Sequence, residues 1–197
     1  MVEVVVSRLK MVPELEPILL TTERACDDEL ASFGTSIGIR VIRGHPDNLV
    51  QRTIVALSLT GATHFVRANA DSPLVDPELI REGLEYTQEY DLVTNLLPRS
   101  YPYGISVEWI SASVYRRFAS SVKENEKEHV TSHLYRQSSQ LRVKSLLCPE
   151  GDWSSTSMVV DVTEHLDSLE EALKGQSKDI LEVRYGDLLP DRARLER

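Results

Sequence analysis

Short β-branched runs alternate with longer helical segments along most of the chain, and this alternation limits the fold more than any other feature. Strands are predicted at 18–22 (ILLTT), 40–44 (RVIRG), 64–68 (HFVRA), 91–95 (DLVTN), 105–110, 141–147 and 158–162. Helices are predicted at 27–34, 49–59, 77–90, 111–120, 126–137 and 163–174. The Asp76–Pro77 pair marks one helix start, an N-cap acceptor followed by proline at the first helical position. Such alternation predicts an α/β fold with a doubly wound, mostly parallel sheet. Ligands of such sheets sit beyond the carboxyl ends of the strands. That rule singles out Thr21, Thr22, Arg43, Gly44, Asn69 to Asp71, Asn95 to Arg99, and Asp161.

The first ten residues, MVEVVVSRLK, fit two periods. Four valines favour a strand, yet Val2, Val5, Val6 and Leu9 also share one helical face, with Glu3, Ser7 and Lys10 opposite. Connection length decides. A strand at 2–6 parallel to 18–22 would leave too little chain for a crossover, with Pro13 in its middle. A helix over 2–11 followed by the short loop VPELEP is the expectation.

Composition narrows the function classes. Of the 197 residues, 41% are hydrophobic and 27% charged, which fits a folded domain rather than a disordered chain. A net charge of -9 disfavours a nucleic-acid coat, which needs clustered Lys and Arg. Cys26 and Cys148 form no metal or disulfide framework, which suits a reducing cytoplasm, and no apolar run is long enough to span a membrane. One domain over 1–174 and a polar tail over 175–197 are expected.

Several ordered motifs are similar to one family. GATHFVRANADSPLVDPELI resembles the core signature of the cytidylyltransferases that make CMP-activated sugars, most of all the spore-coat polysaccharide branch. TTERACDDEL, VIRGHPDNLVQR, TNLLPRSYPYGISVEWIS, KEHVTSHLYR and MVVDVTEHLDSLE resemble further family segments in the expected order. The likeness implies a nucleotide-diphospho-sugar-transferase-like fold. It also implies transfer of CMP from CTP to a sugar acid with Mg²⁺, and a homodimer built through the PRSYPYGIS region.

The departures bear on that implication. The family's first strand ends in a basic triphosphate loop, R-x-x-S-x-R-(L/F)-P-x-K, which has no counterpart here; the N-terminus instead resembles the helix that follows it. The chain is therefore expected to be N-terminally truncated relative to the family. The missing strand would lie in the sheet centre, so its loss either leaves two unpaired edges or forces the neighbouring strands together. Gln51 replaces a family Asp, Tyr103 and Ser106 replace two more, and Val162, Thr163 and His165 alter the late acidic motif.

By resemblance, Asp71 and Asp161 are the metal ligands and, with Arg67, the catalytic set. Arg43, Gly44, Arg67 and Asn69 are nucleotide-binding, and Asn95, Arg99, Glu108 and His129 are substrate-binding. Each has a plainer reading. Asp71 and Asp161 suit a turn and a helix start. Arg67 suits a structural ion pair, Arg43-Gly44 a strand-ending turn, and Glu108 a solvated strand position. His129 and His133 are spaced as a zinc pair on a helix would be, but no third ligand follows by spacing. Trp109 and Trp153 suit the core or an interface.

Three functions are compatible with the residues. The first is a cytidylyltransferase of surface-polysaccharide biosynthesis. The second is a non-catalytic remnant or truncated chain that keeps the fold and binds a sugar, nucleotide or partner chain. The third is a nucleotide-sugar-dependent glycosyltransferase, for which N-A-D-S lacks the first acid of a D-x-D metal motif.

Overall fold

The structure, a computed structural model, describes residues 1–174 and 176–189. The chain opens with helix α1 (Val2–Lys10), followed by β1 (Ile18–Thr22), α2 (Asp28–Ser36), β2 (Arg40–Gly44), α3 (Leu49–Thr60) and β3 (His64–Val66). The second half runs α4 (Pro77–Glu85), β4 (Leu92–Thr94), β5 (Glu108–Ser111), α5 (Ala112–Ala119), α6 (Ser132–Tyr135), β6 (Val143–Ser145) and α7 (Thr163–Lys174). The opening segment is thus a helix, as the connection length requires.

The strands fall into two sheets. One holds β1 and β2 in parallel; the other has the order β3-β5-β4-β6. In the second sheet β4 and β6 are parallel, while β5 runs antiparallel to both β3 and β4. Of the two outcomes expected for a missing central strand, the structure takes the first: β1 and β3 do not pair, and each is a sheet edge.

The core is densest around the four-stranded sheet. Leu92, Val93 and Ile110 are fully buried. Trp109 packs onto α4, where a Cβ at Gly83 would come within 2.7 Å of the indole, and the indole N–H donates to the Ile80 carbonyl at 2.9 Å. Asp76 caps α4 through the N–H groups of Glu78 and Leu79, as the Asp-Pro signal implies. Its other carboxylate oxygen accepts from the Arg184 guanidinium at 2.9 Å. Arg8 of α1 is buried and donates to the carbonyls of Val75, Ile180 and Val183. With Val183 and Tyr185 also buried, residues 176–189 pack against the domain; 190–197 of the expected tail lie outside the described residues.

Three predicted elements differ. The helix expected over 126–137 is reduced to α6, because the Glu126 carboxylate binds the Lys123 N–H and the Arg136 guanidinium and folds the segment into turns. The strand expected at 158–162 forms no ladder; single backbone bonds tie Met158 to Tyr103 and Val160 to Asp71. The helix from Pro77 stops at Glu85, and turns carry the chain to Tyr90. No helix among the described residues is long and apolar enough to cross a membrane.

Candidate active site

Three loops meet at the carboxyl end of β3, held in series by backbone hydrogen bonds. Tyr103 N–H donates to the Thr156 carbonyl and Met158 N–H to the Tyr103 carbonyl, both at 2.7 Å. Val160 N–H donates to the Asp71 carbonyl at 2.9 Å. The loop after β3 (67–72), the loop between β4 and β5, and the segment before α7 thereby form one surface. Gly104 makes this contact possible. Its φ of 100° suits glycine, and a Cβ there would lie 2.9 Å from the Met158 carbonyl carbon.

The bond from Val160 to Asp71 joins the segment carrying Asp161 to the loop carrying Asp71, although 90 positions separate the two acids in sequence. The Asp71 carboxylate accepts from the Ser72 hydroxyl at 2.9 Å. The Asp161 side chain is exposed, and its N–H faces His165 Nδ1 at 3.3 Å. Two hard carboxylates that remain open to water fit Mg²⁺, which takes one or two carboxylates and keeps most of its waters. No group of three or more His, Cys, Asp or Glu side chains among the described residues makes a fuller metal cage.

Next to the Asp71 loop lies a water-sized cavity lined by Arg67, Asn69, Ser72, Gly104, Ser106 and Glu108. Arg67 projects from the end of β3 and bonds the fully buried Glu108 carboxylate of β5 at 2.8 Å. Glu108 is not a solvated strand residue. Its second oxygen accepts from the Tyr135 hydroxyl at 2.9 Å, and that hydroxyl lies 2.8 Å from Thr94 Oγ1. Burial first, then the neighbouring Glu108 charge, raises the Tyr135 phenol well above its ordinary range, so it stays a hydrogen-bond donor. The Arg67 guanidinium, roughly a third exposed, is held at the mouth as a fixed positive charge.

The remaining predicted residues divide. Asn95 is fully buried; its amide bonds the Ile105 carbonyl and the Val107 N–H, so it holds the β4–β5 loop in shape. Arg99 stacks over the Tyr103 ring at 4.8 Å, and burial lowers its pKa. Arg43 and Gly44 belong to the other sheet. Arg43 bonds the carbonyls of Thr22 and Arg24 and pairs with Asp28 at 2.6 Å, which ties down the end of β1. A Cβ at Gly44 would press on Arg52 at 3.0 Å. His129 is exposed in the turn before α6, whereas His133 is buried against Tyr115, so the two do not share a helical face. Sequence reading missed Tyr135, Thr94 and Ser72. Thr94 stood at a strand's carboxyl end, but nothing local in the sequence links Tyr135 to Glu108.

This geometry can be set against known proteins. A cytidylyltransferase from Leptospira borgpetersenii serovar Hardjo-bovis superposes with a TM-score of 0.86 at 24% identity, covering 95% of this chain and 80% of that one. The chain has the cytidylyltransferase fold. The resemblance of its motifs to the CMP-sugar synthetase superfamily, and to the spore-coat branch, therefore stands. In sequence it is 28% identical to the uncharacterized protein MJ1063 of Methanocaldococcus jannaschii over 152 residues. It is 25% identical over 139 residues to the spore coat polysaccharide biosynthesis protein SpsF of Bacillus subtilis. These matches take in 75% and 68% of this chain but only 61% and 56% of the relatives, so the chain spans less than two thirds of the length of the curated proteins it matches. No family model matches the chain.

Proposed function

We propose that this protein acts in surface-polysaccharide biosynthesis in the cytoplasm, transferring CMP from CTP to a sugar acid and releasing pyrophosphate. The observation that supports the reading is the backbone bond from Val160 to Asp71, which joins the segment carrying Asp161 to the loop carrying Asp71 and Arg67. In the transfer, the sugar hydroxyl oxygen bonds to the α-phosphorus as the bond to the β-phosphate oxygen breaks. Such chemistry is mainly positioning and charge neutralisation.

Asp71 and Asp161 would hold Mg²⁺, which when bound supplies charge neutralisation on phosphate oxygens. Arg67, oriented by Glu108, offers a second positive charge to a phosphate or carboxylate. Asn69 and Ser106 offer polar groups in the cavity next to the Asp71 loop. Asn95 acts through the loop it braces, and Arg99 with Tyr103 forms an exposed corner suited to the sugar side or to a homodimer contact. Tyr103 is 54% exposed, which supports the second use.

The test is calorimetric titration of CTP into the 197-residue chain with and without Mg²⁺. Mg²⁺-dependent binding is expected, weakened at least tenfold by Asp71→Ala. Binding that ignores both the metal and Asp71, or no binding at all, overturns this reading.

A further inference from the structure

An arginine and a carboxylate at close range commonly share two parallel hydrogen bonds. Arg67 and Glu108 share one. Arg67 Nη1 donates to Glu108 Oε2 at 2.8 Å, and the other carboxylate oxygen, Oε1, accepts from the Tyr135 hydroxyl at 2.9 Å. No further bond of the Arg67 side chain is made among the described residues.

The direction of the bonds around Tyr135 follows from valence. A phenol has one proton, and a carboxylate can only accept, so that proton points to Glu108. The Tyr135 oxygen then accepts from the Thr94 hydroxyl at 2.8 Å, and Thr94 Oγ1 in turn accepts from the Leu96 N–H at 3.1 Å. A one-way chain thus runs from the end of β4 through Thr94 and Tyr135 to Glu108, and each hydroxyl that receives a bond gives the next one more strongly. Burial and the Glu108 charge keep the phenol protonated, so the chain does not reverse.

The platform under Tyr135 is pinned on both sides. His133 and Leu134, just before it, are fully buried. Arg136 and Gln137, just after it, bond the Glu126 carboxylate at 2.7 Å and the Ser121 hydroxyl at 2.8 Å. Within KEHVTSHLYR, the side chain that reaches the candidate site is therefore held in place by its own neighbours.

We propose that Tyr135 is a positioning residue: by occupying Oε1 of Glu108 it limits Arg67 to a single bond, so that the guanidinium keeps its remaining N–H groups for an anionic group of the substrate. Without the hydroxyl, Oε1 is a buried acceptor whose nearest charged donor is Arg67. The pair then closes to the two-bond form and turns the guanidinium inward, away from the ligand. Glu108, with both oxygens engaged, acts through Arg67. That the anion is a phosphate or carboxylate of the transfer reaction rests on the function proposed above; the single-bond grip does not.

The test uses Tyr135→Phe in the 197-residue chain and two readouts. The first needs no ligand: exchange of the Arg67 guanidinium protons with water, followed by nitrogen-15 NMR. Two-bond closure is expected to slow it roughly tenfold, whereas simple loosening of the structure would speed it. The second is calorimetric titration of CTP with Mg²⁺. Binding is expected to weaken roughly tenfold, the size of one hydrogen bond to a charged group, and this loss should vanish in the Arg67→Met background. Thr94→Val removes the donor that turns the phenol proton toward Glu108. It should move both readouts the same way by roughly threefold, and it decides the matter should Tyr135→Phe fail to fold. Unchanged or faster exchange at Arg67 overturns the proposal, as does a loss of affinity that persists without Arg67. If the parent chain binds no CTP, the transfer reading falls, and exchange at Arg67 alone decides the role of Tyr135.

Discussion

The two sheets differ in how completely their strands are enclosed. In the four-stranded sheet, β4 has a neighbour on both sides, and Leu92, Val93, Thr94, Glu108 and Ile110 have no exposed surface. In the two-stranded sheet, the equally apolar Ile18, Leu19 and Leu20 remain partly exposed, and only Thr21 of β1 and Ile42 of β2 are buried. Propensity does not separate them. What separates them is whether a strand lies on each side, and the slot between β1 and β3 is where one does not. The same division runs through the candidate site: Asp71, Arg67, Glu108 and Asp161 belong to the enclosed half, while Arg43 and Gly44 sit in the open one.

The largest test of this contrast is a pair of truncations. Ile110→Ala removes fully buried methyl groups and is expected to cost about 2–5 kcal/mol, whereas Leu20→Ala should cost less than half of that, because its surroundings are already open. Urea unfolding of both variants measures the difference, and equal costs would break the comparison. A smaller effect, about 1–3 kcal/mol, is expected from Glu108→Gln, which leaves Arg67 without its charged partner in the enclosed half. Arg67 is partly solvated, which keeps the cost below that of a wholly buried pair. Arg43→Gln, at an exposed pair in the open half, should fall within about 1 kcal/mol of the parent.

Gly104→Ala sharpens the point at the candidate active-site surface. The added methyl meets the Met158 and Val159 backbone, so it should push the segment bearing Asp161 away from Asp71. Roughly 1 kcal/mol of stability or more is expected to go, together with Mg²⁺-dependent CTP binding, while the unfolding midpoint should stay in the folded range for the binding assay. The smallest effect concerns acid. Arg136 and the Lys123 N–H hold the Glu126 carboxyl down to about 2. A depressed carboxyl pKa contributes stability that is complete above the unfolded value near 4.5 and is lost as pH falls toward 2. Glu126→Gln should flatten the dependence of thermal stability on pH across that window, and an unchanged slope would assign it to other carboxylates.

Much of the fold was legible because local physics and tertiary structure agreed. Alternating runs marked β1 and β2 to the residue, Asp76–Pro77 marked the start of α4, and a loop too short for a crossover made the first ten residues a helix. Where they disagreed, a distant contact was responsible. Val159 and Val160 carry a strand-like pattern but find single bonds to Tyr103 and Asp71 instead of a ladder. The predicted helix over 126–137 yields to the grip of Glu126 on Arg136. Of the candidate site, Asp71, Asp161 and Arg67 were named only through the motifs that resemble the family's. That Glu108 is buried beneath Arg67 and held by Tyr135, and that Asn95 is a brace, could not.

By itself, then, the sequence determined the order and kind of most elements, since periodicity, caps and loop lengths act within a few residues. Only the tertiary structure decided which loops meet, how β5 turns antiparallel between β3 and β4, and that two strand edges line one open slot. Those outcomes depend on backbone hydrogen bonds between segments tens of residues apart, and no local pattern encodes such a partner.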